Sequence, residues 1–285
     1  MKSARFAVYA MLLVLAAGLA QCARSGGGGG GGGTLTLKGS DTMVILGQRW
    51  AERFMASHAG AVIQVTGGGS GTGIAALING TTDICQASRP MKDDEKAQVQ
   101  SKFGAPPQEI AVAKDGLAIY LNEANTVASL SVAQLKGIYT GATTNWKQLG
   151  GPDKPITLYG RENSSGTYEY FKEHVLEKAD FAASVQTLPG TAAVVSAVQK
   201  DPNGIGYGGA AYVKGVKECA VSAAEGQPGV LPSEENVRSG SYPISRDLFF
   251  YTRKAPEGLM KEFVDYALSD SGQAVVREVG YFPIR

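Results

Sequence analysis

Three short segments are rich in the residue types that bind an oxyanion: "GSDTM" (Gly39–Met43), "GGGSGTG" (Gly67–Gly73) and "SSGT" (Ser164–Thr167). Each presents hydroxyl and backbone N–H groups before a predicted helix, where unpaired amides and the helix dipole favour negative charge. Glycine lets the backbone approach an anion closely, and serine or threonine adds a neutral donor. One such segment alone is better explained as a cap or a turn. Three of them together favour a binding site.

Two arginines accompany these segments. Arg161 stands four residues before Ser165, and a guanidinium can donate paired hydrogen bonds to an oxyanion. Arg89 follows a predicted strand that Pro90 ends, so its side chain can face the same cleft. The alternatives are a surface ion pair of Arg161 with Glu162 and, for Arg89, a structural clamp on backbone carbonyls. The sequence therefore indicates a local cationic site with two candidate arginines.

Enzyme motifs find little support. "GGSGT" around Ser70 has Thr72 where a nucleophile elbow needs its second glycine. The two histidines, His58 and His174, lie in helical patterns, which argues against a catalytic triad or a histidine metal site. No Gly-Lys-Ser/Thr follows the glycine loop, and "GIGYGG" (Gly204–Gly209) follows a helix rather than opening one. We therefore expect no catalytic residue, no metal and no cofactor.

The composition is that of an ordinary globular protein. The 285 residues are 44% hydrophobic and 19% charged, which suits one large domain or two medium ones. Residues 1–21 contain two cations and no acid, so their removal leaves 25 basic and 26 acidic residues and a net charge of −1. A basic field for nucleic acid is absent, and an anion site must be local.

The first 33 residues read as a targeting segment and a tether. Residues 1–21 have a positive start and a short apolar run, as in a signal peptide. The run ends at "LAQC", which resembles a lipoprotein signal with Cys22 as the lipidated residue, although Gln21 departs from its usual small residue. Residues 22–33 are then a glycine-rich linker to a membrane anchor. Simple secretion is the alternative, and both place the protein in the periplasm or at the cell surface.

Two further cysteines, Cys85 and Cys219, sit in apolar runs. They could pair in an oxidising compartment, but small buried residues are the preferred interpretation.

Hydrophobic periodicity predicts strands alternating with helices. The strands are "TLTLKGS", "AVIQVT", "DICQAS", "EIAVAKDGLAIYLN", "PITLYGR", "IGYGGAAYV" and "RDLFFYTRK", with helices between them and two helices, broken near Ser269, at the end. This alternation indicates an α/β fold with a mostly parallel sheet, in two α/β units. Ligands of such sheets bind at the strand ends, where the three loops lie.

In this order, the segments resemble the periplasmic phosphate-binding proteins of phosphate ABC importers. The similarity covers about residues 34–285 and rests on "KGSDTM", "VTGGGSGTGIAALINGTTDICQASRPM", "TTNWKQLGG", "LYGRENSSGTYEYF", "NGIGYGG", "YPISRDLFFYT" and "FVDYALSDSGQAVVREVGYFPI". It implies a periplasmic-binding-protein fold: two α/β lobes, a hinge crossed twice and a ligand cleft between them. The implied boundaries are residues 34–115 for the first part of lobe 1, 116–246 for lobe 2 and 247–285 for the return to lobe 1.

The resemblance also implies ligand-binding residues. By position in the motifs, these are Thr42, Met43 (through its amide), Ser70, Arg161, Ser165, Gly166 and Thr167, with Arg89 as a further candidate. The best-known members carry an aspartate where this chain has Arg89, and that carboxylate accepts the proton of hydrogen phosphate. Asn163 likewise replaces an acidic residue. Discrimination against sulfate is therefore in question, and Asp41 is a possible substitute acceptor.

The resulting expectation is a monomeric, lipid-anchored protein that binds inorganic phosphate and delivers it to the membrane subunits of an ABC permease. Other oxyanions (sulfate or an oxometallate), a phosphate sensor and a phosphatase-like hydrolase are the alternatives. No nucleic acid partner is expected.

Overall fold

The computed structural model describes residues 32–284. The predicted signal peptide, the lipidation site Cys22 and most of the glycine linker lie outside these residues. Within the described range, none of the helices has the length and apolar character needed to span a bilayer.

Residues 32–284 form ten strands and nine α-helices. The strands are β1 Thr34–Gly39, β2 Val62–Thr66, β3 Ile84–Ala87, β4 Gln108–Leu121, β5 Ser129–Ser131, β6 Thr157–Arg161, β7 Gln186–Leu188, β8 Gly204–Gly209, β9 Lys217–Ser222 and β10 Ser245–Thr252. The helices are α1 Val44–Ser57, α2 Ser70–Asn79, α3 Asp93–Phe103, α4 Val132–Tyr139, α5 Gly166–His174, α6 Thr191–Lys200, α7 Glu234–Ser239, α8 Gly258–Leu268 and α9 Asp270–Val279.

The strands follow one continuous order, β2-β1-β3-β10-β4-β8-β6-β7, with β9 beside β4 and β5 beside β9. Strand β4 joins the two halves. Its residues 108–116 pair with β10, and its residues 117–121 pair with β8. The long apolar run that predicted this strand thus contributes to the strand pairing of both lobes.

The prediction of a mostly parallel sheet is only partly right. β1 lies parallel to β2 and β3, and β6 lies parallel to β7 and β8. The long strand β4 and its partner β10 run antiparallel to their neighbours. The reason is the return of the chain: β10 enters lobe 1 from the opposite direction, which alternation of elements along the sequence does not reveal.

Each lobe encloses its own apolar core. In lobe 1 the helical spacing of α1 places Leu46, Trp50 and Phe54 inward, and all three are buried. In lobe 2 Trp146, Phe171 and Tyr207 occupy the centre, with the rings of Phe171 and Tyr207 stacked 4.0 Å apart. These cores hold the strand ends rigidly, so the loops that follow them have fixed positions.

Several local predictions are confirmed. Gly80 ends α2 with a left-handed conformation at φ 76°, which favours glycine. The "GIGYGG" match is a buried strand, β8, rather than a nucleotide loop. Cys85 and Cys219 are both buried free thiols, as preferred. Helix α3, with its acidic first turn Asp93–Glu95, was not predicted because its apolar face is nearly absent.

Candidate functional site

The three predicted segments meet where the lobes face each other. Thr42 follows β1 and lies in a short 3-10 helix before α1, while Ser70 begins α2. Gly166 and Thr167 begin α5 in the other lobe. The hydroxyl oxygens of Thr42 and Thr167 lie 2.9 Å apart, and both residues are fully buried. Residues 125 positions apart in the chain therefore line one cleft.

The lobes also meet through a backbone hydrogen bond beside a group of serine hydroxyls. The Ser70 hydroxyl accepts a hydrogen bond from the Ser88 amide at 3.1 Å, and Ser40 donates to the Ser88 hydroxyl at 2.9 Å. The backbone of Gly71 donates to the carbonyl of Ser164 at 2.9 Å across the cleft. The lobes are thus in contact, and a set of serine hydroxyls lies against the start of α5.

Two tyrosines hold the first segment in place. Tyr212 donates to the carbonyl of Asp41, and Tyr281 donates to that of Thr42, each at 2.6 Å. These bonds use the carbonyl oxygens, which would repel an anion, and leave the Thr42 side chain facing Thr167. The segment therefore presents donors toward the cleft.

Arg161 lies at the end of β6 and is 1% exposed. Its guanidinium donates to Asp41 of the opposite lobe at 2.7 Å, to Glu162 at 3.1 Å and to the Thr191 hydroxyl at 2.9 Å. Burial disfavours the Glu162 carboxylate, but its hydrogen bond and attraction to Arg161 outweigh this and lower the pKa of Glu162. Arg161 therefore pairs with Glu162, but as a buried arginine rather than a surface one, and its binding of an anion stays a prediction.

Arg89 has carboxylate partners in both lobes. Its two terminal nitrogens donate to Glu95 at 2.8 and 2.7 Å, and one of them also donates to the Pro90 carbonyl at 2.8 Å. Its Nε lies 2.5 Å from Glu169 of α5. The two side chains form an ion pair, but their geometry does not make a hydrogen bond. Burial opposes the charged form, but the two carboxylates raise the pKa of Arg89 above its usual value. A carbonyl contact was the predicted alternative, and binding of an anion by Arg89 stays a prediction.

Two of the predicted ligand-binding residues, Met43 and Ser165, already have local hydrogen-bond partners in this structure. The Met43 amide donates to the Ser40 carbonyl at 3.0 Å, and the Met43 side chain is buried in the core of lobe 1. The Ser165 hydroxyl caps α5 by accepting from the amides of Thr167 and Tyr168 at 3.2 and 3.3 Å. The Ser165 O–H proton is not used by these bonds. The anion-binding roles of Met43 and Ser165 stay predictions.

Sequence reasoning missed a third buried arginine beside the cleft. Arg246 donates to Thr167 Oγ1 at 3.0 Å and to Asp115 Oδ2 at 2.8 Å. Ser40, Ser88 and Thr191 were also not singled out. The sequence did contain a signal for this charged pair. Asp115 and Arg246 are charged residues inside otherwise apolar strand patterns, and a buried charge requires a partner.

No group of three or more His, Cys, Asp or Glu side chains among residues 32–284 is arranged to hold a metal ion. The site that these residues form contains hydroxyls, helix starts and arginines. Such a set can bind a tetrahedral oxyanion through hydrogen bonds.

Two α/β lobes with an oxyanion-type site between them define a two-lobed substrate-binding protein. Comparison with known proteins agrees: the PBP superfamily domain matches residues 25–271. The phosphate-binding protein PstS of Pseudomonas aeruginosa is 38% identical over 267 residues, which are 88% of this chain and 83% of that protein. PstS of Staphylococcus epidermidis is 35% identical over 254 residues, 86% of this chain and 77% of that protein.

Solved structures show the same relationship. A Clostridium perfringens substrate-binding protein, assigned to a phosphate ABC transporter and solved with bound phosphate, is 32% identical with a TM-score of 0.79, over 89% of this chain and 100% of that one. An ABC-type phosphate transport receptor from Vibrio cholerae is 29% identical with a TM-score of 0.69, over 87% and 99%. The chain belongs to the PBP superfamily and, within it, to the family of PstS phosphate-binding proteins. The fold and family predicted from the sequence are confirmed.

Proposed function

We propose that this chain binds inorganic phosphate in the cleft between its lobes and delivers it to an ABC importer. The lobes would comprise residues 34–115 with 247–285, and residues 116–246. The observation that carries the proposal is the convergence of Thr42, Ser70, Gly166 and Thr167 beside a buried arginine, Arg161. The relatives named as phosphate-binding proteins and the neighbour solved with phosphate support it.

Directed hydrogen bonds, more than net positive charge, would hold the ligand. The Arg161 guanidinium already has the carboxylates of Asp41 and Glu162 as partners. Each hydrogen bond to a charged group contributes about 1.5–3 kcal/mol. A few such bonds from hydroxyls, amides and the helix starts reach the roughly −8 kcal/mol of micromolar binding after the costs of closure.

Selectivity for phosphate over sulfate requires an acceptor for the phosphate proton. Arg89 stands where a carboxylate is expected, so another acceptor must act. Asp41 accepts from Gly68 through Oδ1 at 2.8 Å and from Arg161 through Oδ2. We propose Asp41 as that acceptor, because its carboxylate lies at the Arg161 end of the cleft and has lone pairs beyond these two bonds.

The test is calorimetry on protein freed of ligand by unfolding and refolding, titrated with phosphate and then with sulfate at pH 6 and pH 8. The expected result is phosphate binding that is micromolar or tighter, with no detectable binding of sulfate. Comparable binding of both anions would make this a general oxyanion receptor, the same-class alternative. Absence of binding by either anion would contradict the proposal.

Delivery to a permease and signalling through a receptor both require the same binding step. Phosphate uptake into cells that express only this binding protein with an ABC permease and its ATPase would support delivery. Failure of uptake despite tight binding would favour the sensor. We also propose that the protein is monomeric. We further propose that it is anchored through a lipidated Cys22, and mass spectrometry of the membrane fraction tests for this lipid.

We further propose that the protein performs no catalysis, because its role is reversible capture. The rival is a phosphatase-like hydrolase. An assay with an aryl phosphate is expected to show no turnover, and release of the aryl alcohol at a rate that scales with protein concentration would overturn this part of the proposal.

A further inference from the structure

Arg246 and Asp115 form a buried charged pair where β4 passes from one lobe to the other. They are direct cross-strand partners in the pairing of β10 with β4. The Asp115 Oδ2 atom accepts from Nε and Nη2 of Arg246 at 3.1 and 2.8 Å, and the side chains are 3% and 0% exposed. The carboxylate thus fixes the plane of the guanidinium from one edge.

The third nitrogen of this guanidinium, Nη1, has no hydrogen-bond partner among the described residues. The Nη1 atom is buried. The ring of Tyr170 lies 5.3 Å from the guanidinium carbon and covers one face. A buried donor without a partner is costly, and a charged donor more so, so native proteins rarely leave one unpaired. The Nη1 group therefore requires a hydrogen-bond acceptor that residues 32–284 do not supply.

The position of the unpaired nitrogen identifies the kind of acceptor. Arg246 Nη2 donates to Thr167 Oγ1 at 3.0 Å, and that oxygen lies 2.9 Å from Thr42 Oγ1. Both threonines belong to the segments at which the proposed anion site is built. Nη1 is bonded to the same carbon as Nη2, so it too lies beside the cleft. An acceptor bound there would be held by donors from both lobes.

We propose that Arg246 is a second arginine of the anion site and that its Nη1 donates to an oxygen of the bound phosphate. Asp115 holds the guanidinium in position and balances its charge. The assignment rests on the proposed function, since it deepens the description of the same site. It adds a donor residue from the start of β10, which lies outside the three glycine- and hydroxyl-rich loops.

The test separates this role from simple pairing with Asp115. Asp115→Asn is compared with the double variant Asp115→Asn, Arg246→Gln, because the two differ only at Arg246 and neither contains an unpaired buried carboxylate. Calorimetry with phosphate on ligand-free protein gives the two dissociation constants, and thermal unfolding confirms that both variants fold. The double variant is expected to bind about 10- to 150-fold more weakly, as loss of one hydrogen bond to a charged group predicts.

Equal phosphate affinity of the two variants would overturn the inference and leave the proposed function standing. Absence of phosphate binding by the unaltered protein would instead contradict the proposed function itself. If the double variant does not fold, Arg246→Lys takes its place, compared with the unaltered protein. Lysine keeps the charge opposite Asp115 but lacks the planar fork, so about tenfold weaker binding is expected and unchanged affinity would overturn the inference. Arg238→Gln, an exposed arginine of α7, is the matched control.

Discussion

Gly166 of α5 and Ser70 of α2 approach so closely that a β-carbon on Gly166 would lie 2.3 Å from the Ser70 hydroxyl oxygen. The same β-carbon would lie 2.9 Å from the hydroxyl of Ser88. These residues belong to opposite lobes, so the absence of a side chain at Gly166 permits the lobes to meet. The requirement is steric closeness rather than an unusual backbone conformation.

Gly166→Ala is therefore expected to weaken phosphate binding by at least about tenfold, because the closed arrangement must open to admit the methyl group. The ligand-free protein should lose less than about 1 kcal/mol of stability, since alanine favours the first turn of a helix. Calorimetry and urea unfolding measure the two effects. Gly137→Ala within α4 is the control, because its β-carbon would meet only the Thr143 side chain, at 3.1 Å from the hydroxyl. Unaltered affinity of the Gly166 variant would show that closure does not require this contact.

Arg161→Ala is expected to remove most of the phosphate affinity, about 100-fold or more. The substitution deletes hydrogen bonds to a charged ligand, each contributing about 1.5–3 kcal/mol, and leaves Asp41 and Glu162 without their cation. Calorimetry with phosphate measures the loss, with the exposed Arg238→Ala as control. A dissociation constant equal to that of the unaltered protein would refute the role of Arg161 in the site.

Variants of Arg89 and Glu169 distinguish two roles of Arg89: an ion pair that holds the lobes together, and direct binding of the anion. Their ion pair links lobe 1 to α5 at 2.5 Å, and the side chains are 8% and 19% exposed. If Arg89 mainly holds the lobes together, Arg89→Gln and Glu169→Gln should each weaken phosphate binding by a similar few-fold factor, as expected of a partly exposed pair. If Arg89 instead binds the anion, Arg89→Gln should cost more than about tenfold while Glu169→Gln does not.

Calorimetry with phosphate on the ligand-free variants is the measurement. Affinity unchanged in both variants would contradict both roles of Arg89.

Glu218 on β9 predicts a dependence of stability on pH. Burial raises the pKa of Glu218 to about 7. Between about pH 4.5 and 7 the unfolded chain loses a proton that the folded protein keeps, so the contribution of this group to stability falls as the pH rises and stays low above 7. Glu218→Gln should therefore raise the free energy of unfolding at pH 8 relative to the unaltered protein, and much less so at pH 4.5.

Urea unfolding of both proteins across this pH range is the measurement. Glu225→Gln, at an exposed position on the loop after β9, is the control and should produce no such trend. A difference between Glu218→Gln and the unaltered protein that is constant from pH 4.5 to 8 would contradict the prediction.

Much of the local structure could be predicted because it depends on neighbouring residues. Alternation predicted β1 and β6, the spacing of Leu46, Trp50 and Phe54 predicted α1, and Gly80 was recognised as the stop of α2. Helix α3 was not predicted because its acidic first turn and the bonds between Arg89 and Glu95 stabilise it, rather than an apolar face. Strands β5 and β7 were missed because three residues are too few to show an alternating pattern, and β9 was missed as well.

The sequence by itself determined the α/β class, the family and three segments of the candidate site, because hydrophobic period, helix-start chemistry and the order of motifs are properties of contiguous residues. Only the tertiary structure decided which charges meet. It paired Arg161 with Asp41 across the cleft, Arg89 with Glu95 and Glu169, and Arg246 with Asp115. The partner of a buried charge depends on strand register and on the approach of the lobes, which bring together residues more than a hundred positions apart in two of these cases.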